Sequence, residues 1–363
     1  MTTRHTIYFG ASQQMTKIKD LSVDLIVTSP PYPMIEMWDE ILSNQNQEIR
    51  DALQSGSTSL AFELMHKELD MVWDECNRVL KDGGFLCINI GDATRTVNGE
   101  FQLYNSHSRI IKHCLELGLI NLPNIIWHKA TNAPNKFMGS GMLPCGAYVT
   151  LEHEHILIFR KGGKRIYKTA ESKSCRRQSS FFWEERNVWF SDIWDLRGTK
   201  QKMSNTDSRD RSAAFPLEVP YRLINMYSQA GDVVLDPFYG LGTTSQAAIL
   251  LGRHSLGYEI DGKLQKTIEE NISTFKIDAA NKMLKQRYDK HIEFIADYSA
   301  KKGGTKHHNN YLNCDVITGQ ESDLEIHYLT DLTKVADSPL CFECSYEDSS
   351  DLQVLPKSVN SLF

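Results

Sequence analysis

The sequence predicts an α/β fold built on a mainly parallel sheet. Two observations carry that expectation. Short apolar runs suited to buried strands alternate with amphipathic helical stretches over residues 5–300. Two of those runs, Val23–Val27 and Asp232–Leu235, also stop abruptly in loops rich in proline or glycine.

Taken in order, His5–Phe9 reads as a short strand. Val23–Val27 (VDLIV) is continuous in its apolar character, as a strand covered on both faces must be. The run then enters Thr28-Ser29-Pro30-Pro31-Tyr32-Pro33, where three prolines forbid regular structure. Residues Ser43–Ser59 are polar and are expected to form a mobile loop. Phe62, Met65, Leu69, Val72, Trp73, Cys76, Val79 and Leu80 recur mostly at spacings of three and four, the mark of an amphipathic helix. Phe85–Ile90 is the next strand, Ser106–Leu117 a helix stopped by Gly118, and Asn124–His128 and His155–Phe159 two further strands. Pro220–Ser228 reads as a helix, Asp232–Leu235 as a strand, Thr244–Leu251 as a helix and Ser255–Tyr258 as a strand. Gly262 to about Ala300 is strongly helical, Lys301–Gly304 is a linker, and the rest is weakly patterned.

The chain of 363 residues has an ordinary globular composition, with 41% apolar and 24% charged residues. Met1–Gly10 lacks a signal pattern and no apolar run reaches membrane-spanning length, so a cytoplasmic protein is expected. Eight scattered cysteines suggest no disulfide framework. The formal charge of −6 conceals an asymmetry. Residues 160–211 hold 14 Lys and Arg against 7 Asp and Glu, whereas residues 312–363 hold 2 against 10. A basic middle of this kind is either a solvated surface or a nucleic-acid footprint.

Two motifs carry chemistry. Asp236-Pro237-Phe238-Tyr239-Gly240-Leu241-Gly242-Thr243-Thr244 follows a strand and opens a helix, and Glu259 ends the next strand. Glycines let a ligand approach the backbone, and an acid so placed can accept hydrogen bonds from ribose hydroxyls. A nicotinamide site is disfavoured, because the dinucleotide fingerprint needs a third glycine where Ser245 stands. The second motif is Ser29-Pro30-Pro31-Tyr32. An exocyclic amine conjugated to a nucleobase is a poor nucleophile. A rigid loop can aim the Ser29 hydroxyl and the Pro30 carbonyl at its two N–H bonds, and Tyr32 can stack on a base drawn out of the duplex.

Together the two motifs resemble those of the amino-DNA-methyltransferases of restriction–modification systems. Their order, catalytic motif first, is similar to the circularly permuted β group of that family. The resemblance spans about residues 5–275 and extends to Phe85–Asp92 (FLCINIGD), Ile125–Lys129 (IIWHK), Glu152–Arg160 (EHEHILIFR) and Phe215-Pro216. Ser at the head of the Pro-Pro-Tyr motif is similar to the N4-cytosine branch. Gly10-Ala11-Ser12 departs from the family, which often has Gly-Asp there, and Arg211 stands near a place where the family often has His.

The resemblance implies a circularly permuted Rossmann-like, S-adenosylmethionine-dependent methyltransferase. Residues 1–160 would form the catalytic half, 161–211 an inserted target-recognition lobe, 212–300 the cofactor half and 301–363 an acidic segment. Ser29, Pro30, Pro31 and Tyr32 are the expected catalytic residues. Ser12, Thr28, Phe215, Pro216, Asp236, Phe238, Tyr239, Gly240, Gly242, Thr243 and Glu259 are expected to hold the cofactor. Lys164, Arg165, Lys173, Arg176, Arg177, Arg197 and Lys200 are expected to contact double-stranded DNA. The implied reaction is site-specific methylation of cytosine N4 by base flipping, protecting host DNA from a partner restriction endonuclease. N6-adenine methylation in the same fold is the alternative, and a noncatalytic DNA-binding protein the alternative of another class.

Weaker signals point elsewhere. Pro144-Cys145 precedes the cofactor motif, the reverse of the order in C5-cytosine methyltransferases, and reads as structural. Cys341-x-x-Cys344, with Cys314 and His307-His308 upstream, is an incomplete zinc pattern. His153 and His155 read as structural histidines facing a cleft rather than as metal ligands. Trp183, Trp189 and Trp194 read as the small core of the basic lobe.

Overall fold

The computed structural model describes residues 1–129, 138–198 and 215–348. Its centre is an 11-stranded sheet, whose main path runs Ile193–Asp195, Ile125–His128, His153–Arg160, Leu80–Ile90, Val23–Thr28, Val233–Asp236, His254–Glu259, Thr2–Phe9, Leu340–Asp348 and His327–Asp337. The strands from Leu80–Ile90 through Thr2–Phe9 are mutually parallel. His153–Arg160 and Leu340–Asp348 run against them. Val23–Thr28 is buried at every residue. Its alternate side chains enter two cores: Leu25 and Val27 pack with Trp127, Ile156 and Ile158 on one face, and Ile26 packs with Trp73, Ile88 and Phe159 on the other.

The strand order reverses between Val23–Thr28 and Val233–Asp236, which are neighbours paired at Leu25–Val234 and Ile26–Leu235. From the first the chain proceeds to Leu80–Ile90 on one side. From the second it proceeds to His254–Glu259 on the other. A crevice opens beyond the carboxyl ends of strands at such a switch point. Both motifs start there, although the sequence separates them widely. The architecture is the permuted, Rossmann-like methyltransferase fold.

Four expectations change. Residues 43–59 are largely helical: Asp39–Gln45 and Gln47–Gln54 bury Leu42, Ile49 and Ala52, and the Asn46 side chain caps the second helix by accepting from the Glu48 amide. The apolar residues are sparse but fall on one face. The long C-terminal helical stretch is broken into Gln265–Ser273 and Ile277–Lys302. The acidic segment supplies the antiparallel pair His327–Asp337 and Leu340–Asp348, which covers the edge of Thr2–Phe9. Cys341 and Cys344, three apart on that strand, point to opposite faces, and Cys314 packs in a different core from Cys344, so the zinc pattern does not converge.

The inserted basic lobe shares its core with the sheet. Phe182, Trp189 and Trp194 lie in the same cluster as Trp127 and Ile156, and Ile193–Asp195 extends the sheet beside Ile125–His128. Trp183 instead stays exposed and stacks on Phe294.

Candidate active site

Both motif loops open into one cleft enclosing about 1080 Å³. Ser12, Ser29, Pro30, Pro31, Phe215, Asp236, Phe238, Tyr239, Gly240, Thr243 and Glu259 line it. Gln13, Trp38, Ile41, Gln45, Pro237, Leu241, Tyr258, Ile260 and Leu264 complete the walls. Gly240 and Gly242 have φ of +53° and +86°, a region that side chains rarely adopt. A Cβ on Gly240 would meet nothing nearer than 4.0 Å, so the side left open there faces space rather than protein. Gly242 and Gly257 instead make room for the buried Tyr239 ring, which a Cβ at either position would strike. The Glu259 carboxylate accepts from the amides of Gly240 and Asp261, both at 2.8 Å, and is thereby fixed against the glycine turn.

Four expected site residues do not line the cleft. Thr28 is fully buried and its hydroxyl donates to Asp236 Oδ1 at 2.6 Å, while Thr244 donates to Oδ2 at 2.7 Å. Thr28 is therefore a brace between the two loops. Pro216 is buried behind Phe215, and Gly242 supports Tyr239. Burial pushes Asp236 up to about 6, against the lowering effect of bonds from Thr28, Thr244 and the Phe238 amide.

Tyr32 is the fourth. Its ring is 5% exposed and packs over Gly91, where a Cβ would come within 2.9 Å of it. Its hydroxyl donates to Glu154 Oε2 at 2.8 Å and accepts from Asn89 Nδ2 at 2.8 Å. Asn89 also donates to Glu154 Oε2, at 2.7 Å, and Lys129 Nζ donates to Oε1 at 2.8 Å. Ser29 Oγ lies 3.1 Å from the Tyr32 hydroxyl. Burial, and secondarily the Glu154 carboxylate, keep the phenol well above its usual range, so it stays protonated. Its one proton is committed to Glu154. The Ser29 hydroxyl must then donate to Tyr32, which leaves the Ser29 lone pairs free to accept. Sequence reasoning assigned no role to Glu154, Asn89 or Lys129. The one signal for them was an acid on the same strand face as the core residues Ile156 and Ile158.

The basic residues divide between the two ends of the sheet. His153–Arg160 runs antiparallel and ends opposite Phe85, so the chain beyond it starts at the amino ends of the parallel strands. Arg165 is held there by Asp232, at 2.6 Å and 3.0 Å. Arg177 pairs with Asp323 at 3.2 Å, and the Arg176 guanidinium lies over the Tyr167 ring at 4.6 Å. Lys164 and Lys173 are exposed on the same segment, and its helix Ala170–Gln178 contacts Ala230 ahead of the Val233 strand. A six-residue strand is about 20 Å long, so this group is roughly that far from the cleft. These five residues are thus corrected as candidates for contacts beside the cleft. Arg197 is exposed at the carboxyl end, two residues beyond the Asp195–His128 pairing. Lys200 lies outside the described residues.

A model of the N6/N4 methyltransferases, described as DNA methylase, matches residues 23–270. The chain belongs to that family. The methyltransferase is 48% identical over 351 residues to the type II methyltransferase M.MthZI of Methanothermobacter thermautotrophicus, covering 96% of each chain. It is 49% identical over 283 residues to M.MjaI of Methanocaldococcus jannaschii, covering 75% of this chain and 92% of that one. Among solved structures it is similar to TTHA0409, a DNA modification methylase from Thermus thermophilus complexed with S-adenosyl-L-methionine. That similarity has 31% identity and a TM-score of 0.57, and covers 75% of this chain and 96% of the other. The protein is an S-adenosylmethionine-dependent DNA methyltransferase. Among its described residues, no helix is long and apolar enough to cross a membrane.

Proposed function

We propose that the enzyme methylates cytosine N4 within a short specific sequence of double-stranded DNA, on a base turned out of the duplex. The observation that carries this reading is the polarity of the chain Glu154–Tyr32–Ser29. With Tyr32 donating to the carboxylate, Ser29 Oγ is an acceptor at the cleft wall, beside the Pro30 carbonyl. Two acceptors on a proline-stiffened loop match the two N–H bonds of an exocyclic amine. Drawing on both loosens the nitrogen lone pair from the ring as the new bond forms.

S-adenosylmethionine supplies the methyl group as an electrophile. The chain's residues fit it: Glu259 for the ribose hydroxyls, the Gly240 turn for close approach, and Phe238, Ile260 and Leu264 as apolar cover. Ser12, Phe215, Asp236, Tyr239 and Thr243 line or support the same space. The DNA face is read as the carboxyl end of the sheet, with Arg197 among its cations. Protection of host DNA against a restriction endonuclease is the role this activity serves, in a cytoplasmic setting.

Nucleoside analysis of DNA methylated by the purified enzyme tests the target base. N4-methylcytosine is expected. N6-methyladenine as the sole product overturns the base assignment and leaves the cleft reading intact. Absence of tritiated-methyl transfer to any DNA supports the noncatalytic reading instead.

A further inference from the structure

On the face of the sheet away from Glu154, three side chains from three elements converge without a role in the reaction above. Asp92 lies just beyond the strand Leu80–Ile90, His107 in the first turn of the helix Ser106–Glu116, and His155 on the strand His153–Arg160. His107 Nδ1 is 2.7 Å from Asp92 Oδ2, and His155 Nε2 is 3.8 Å from the same oxygen. The two imidazoles stack with centroids 4.0 Å apart and planes 21° from parallel. One donor atom from each residue lies within 4.8 Å of the others. The backbone amide of His107 donates to Asp92 Oδ1 at 3.1 Å, which orients the carboxylate with Oδ2 toward the rings. The side chains are 9–28% exposed, so the group is shielded yet reachable.

We infer that Asp92, His107 and His155 form a site for a divalent transition metal of the zinc, cobalt or nickel class. Two imidazole nitrogens and one carboxylate oxygen are the borderline donors such ions prefer, and magnesium or calcium would demand more oxygen. Closing the group on an ion, with bonds of about 2.0–2.2 Å, needs only side-chain adjustment. The ion takes the place of the proton shared between His107 Nδ1 and Asp92 Oδ2, and that proton leaves to solvent. At least one coordination position remains for water. The site joins the Leu80–Ile90 strand, whose following Gly91 packs against Tyr32, to the neighbouring helix and strand. It therefore braces one wall of the loop cluster. The inference does not rest on the cytosine assignment, and its test does not use methyl transfer.

The test is titration of the full-length protein with Co²⁺, followed by visible absorption and calorimetry, with Zn²⁺ as competitor. Expected is uptake of one equivalent with the visible bands of nitrogen and oxygen ligation, displaced by zinc. Asp92→Asn, His107→Ala and His155→Ala are each expected to weaken uptake by more than about tenfold. Anomalous scattering from cobalt in crystals of the unmodified protein, placed between these three residues, gives the same answer should a variant fail to fold. No uptake overturns the inference. So do strong sulfur-to-cobalt bands, which would put the ion on cysteines, and uptake unchanged in both histidine variants.

Discussion

Replacing Glu154 by Gln is the sharpest test of how the Ser29 loop is held. The carboxylate receives three donors: Tyr32 and Asn89 on one oxygen, Lys129 on the other. A carboxamide of the same shape has one accepting oxygen and brings its own NH₂ group. At least one donor must therefore lose its partner, and the Tyr32 proton is no longer committed. A hydrogen bond to a charged group contributes about 1.5–3 kcal/mol. Lys129 is a third exposed, so the cost of releasing it is discounted for solvent. If the loss falls on the transition state, kcat drops about 10- to 100-fold, since about 1.4 kcal/mol is one decade. S-adenosylmethionine affinity should not change, because Glu154 is not among the residues lining the cleft. Tyr32→Phe should produce a drop of similar size. Because the two act as one chain, the double variant should be little worse than either alone. Single-turnover methyl transfer to a duplex oligonucleotide, with calorimetry for the cofactor, reads all three variants. Wild-type kcat in Glu154→Gln, or losses that multiply in the double variant, would refute the reasoning.

Three further outcomes follow from the same geometry. Gly240→Asp should abolish S-adenosylmethionine binding by calorimetry, because φ is +53° and its amide already contacts Glu259, so a second carboxylate is forced beside the first. Arg197→Glu should weaken DNA binding and flatten its salt dependence by about one unit of slope, whereas Arg176→Glu with Arg177→Glu should leave both nearly unchanged; the opposite ranking in a filter-binding salt series would move the DNA face to the other end of the sheet. Asp236 is raised by burial, so the native state binds its proton more tightly than the unfolded chain does, and the stability linked to that proton is lost as pH rises from about 4 to about 6. Thermal melts across that window should show Asp236→Asn gaining on the wild type by up to roughly 3 kcal/mol as pH rises, and a constant difference would contradict it.

The sequence alone determined the parts whose local chemistry leaves little choice. A continuous apolar run such as Val23–Val27 must be covered on both faces, and a loop with prolines at 30, 31 and 33 cannot extend the strand. A glycine turn between a strand and a helix, followed by an acid one strand later, reads the same way in any context. The resemblance carried by these motifs anticipated the family and the switch point between the two loops. Tertiary structure alone decided which residues share an end of the sheet. The charge surplus in residues 160–211 is visible in one dimension, but strand direction puts Arg165 and Arg177 into ion pairs about 20 Å from the cleft and leaves Arg197 beside it. It likewise turned Tyr32 inward onto Gly91, made Thr28 a brace, and brought Glu154, Asn89 and Lys129 together from three strands or their ends. The physical reason is that local sequence fixes backbone conformation over a few residues, while the partner of a buried polar group is set by strand order and register. Those depend on long-range packing of the whole chain, to which no single segment testifies.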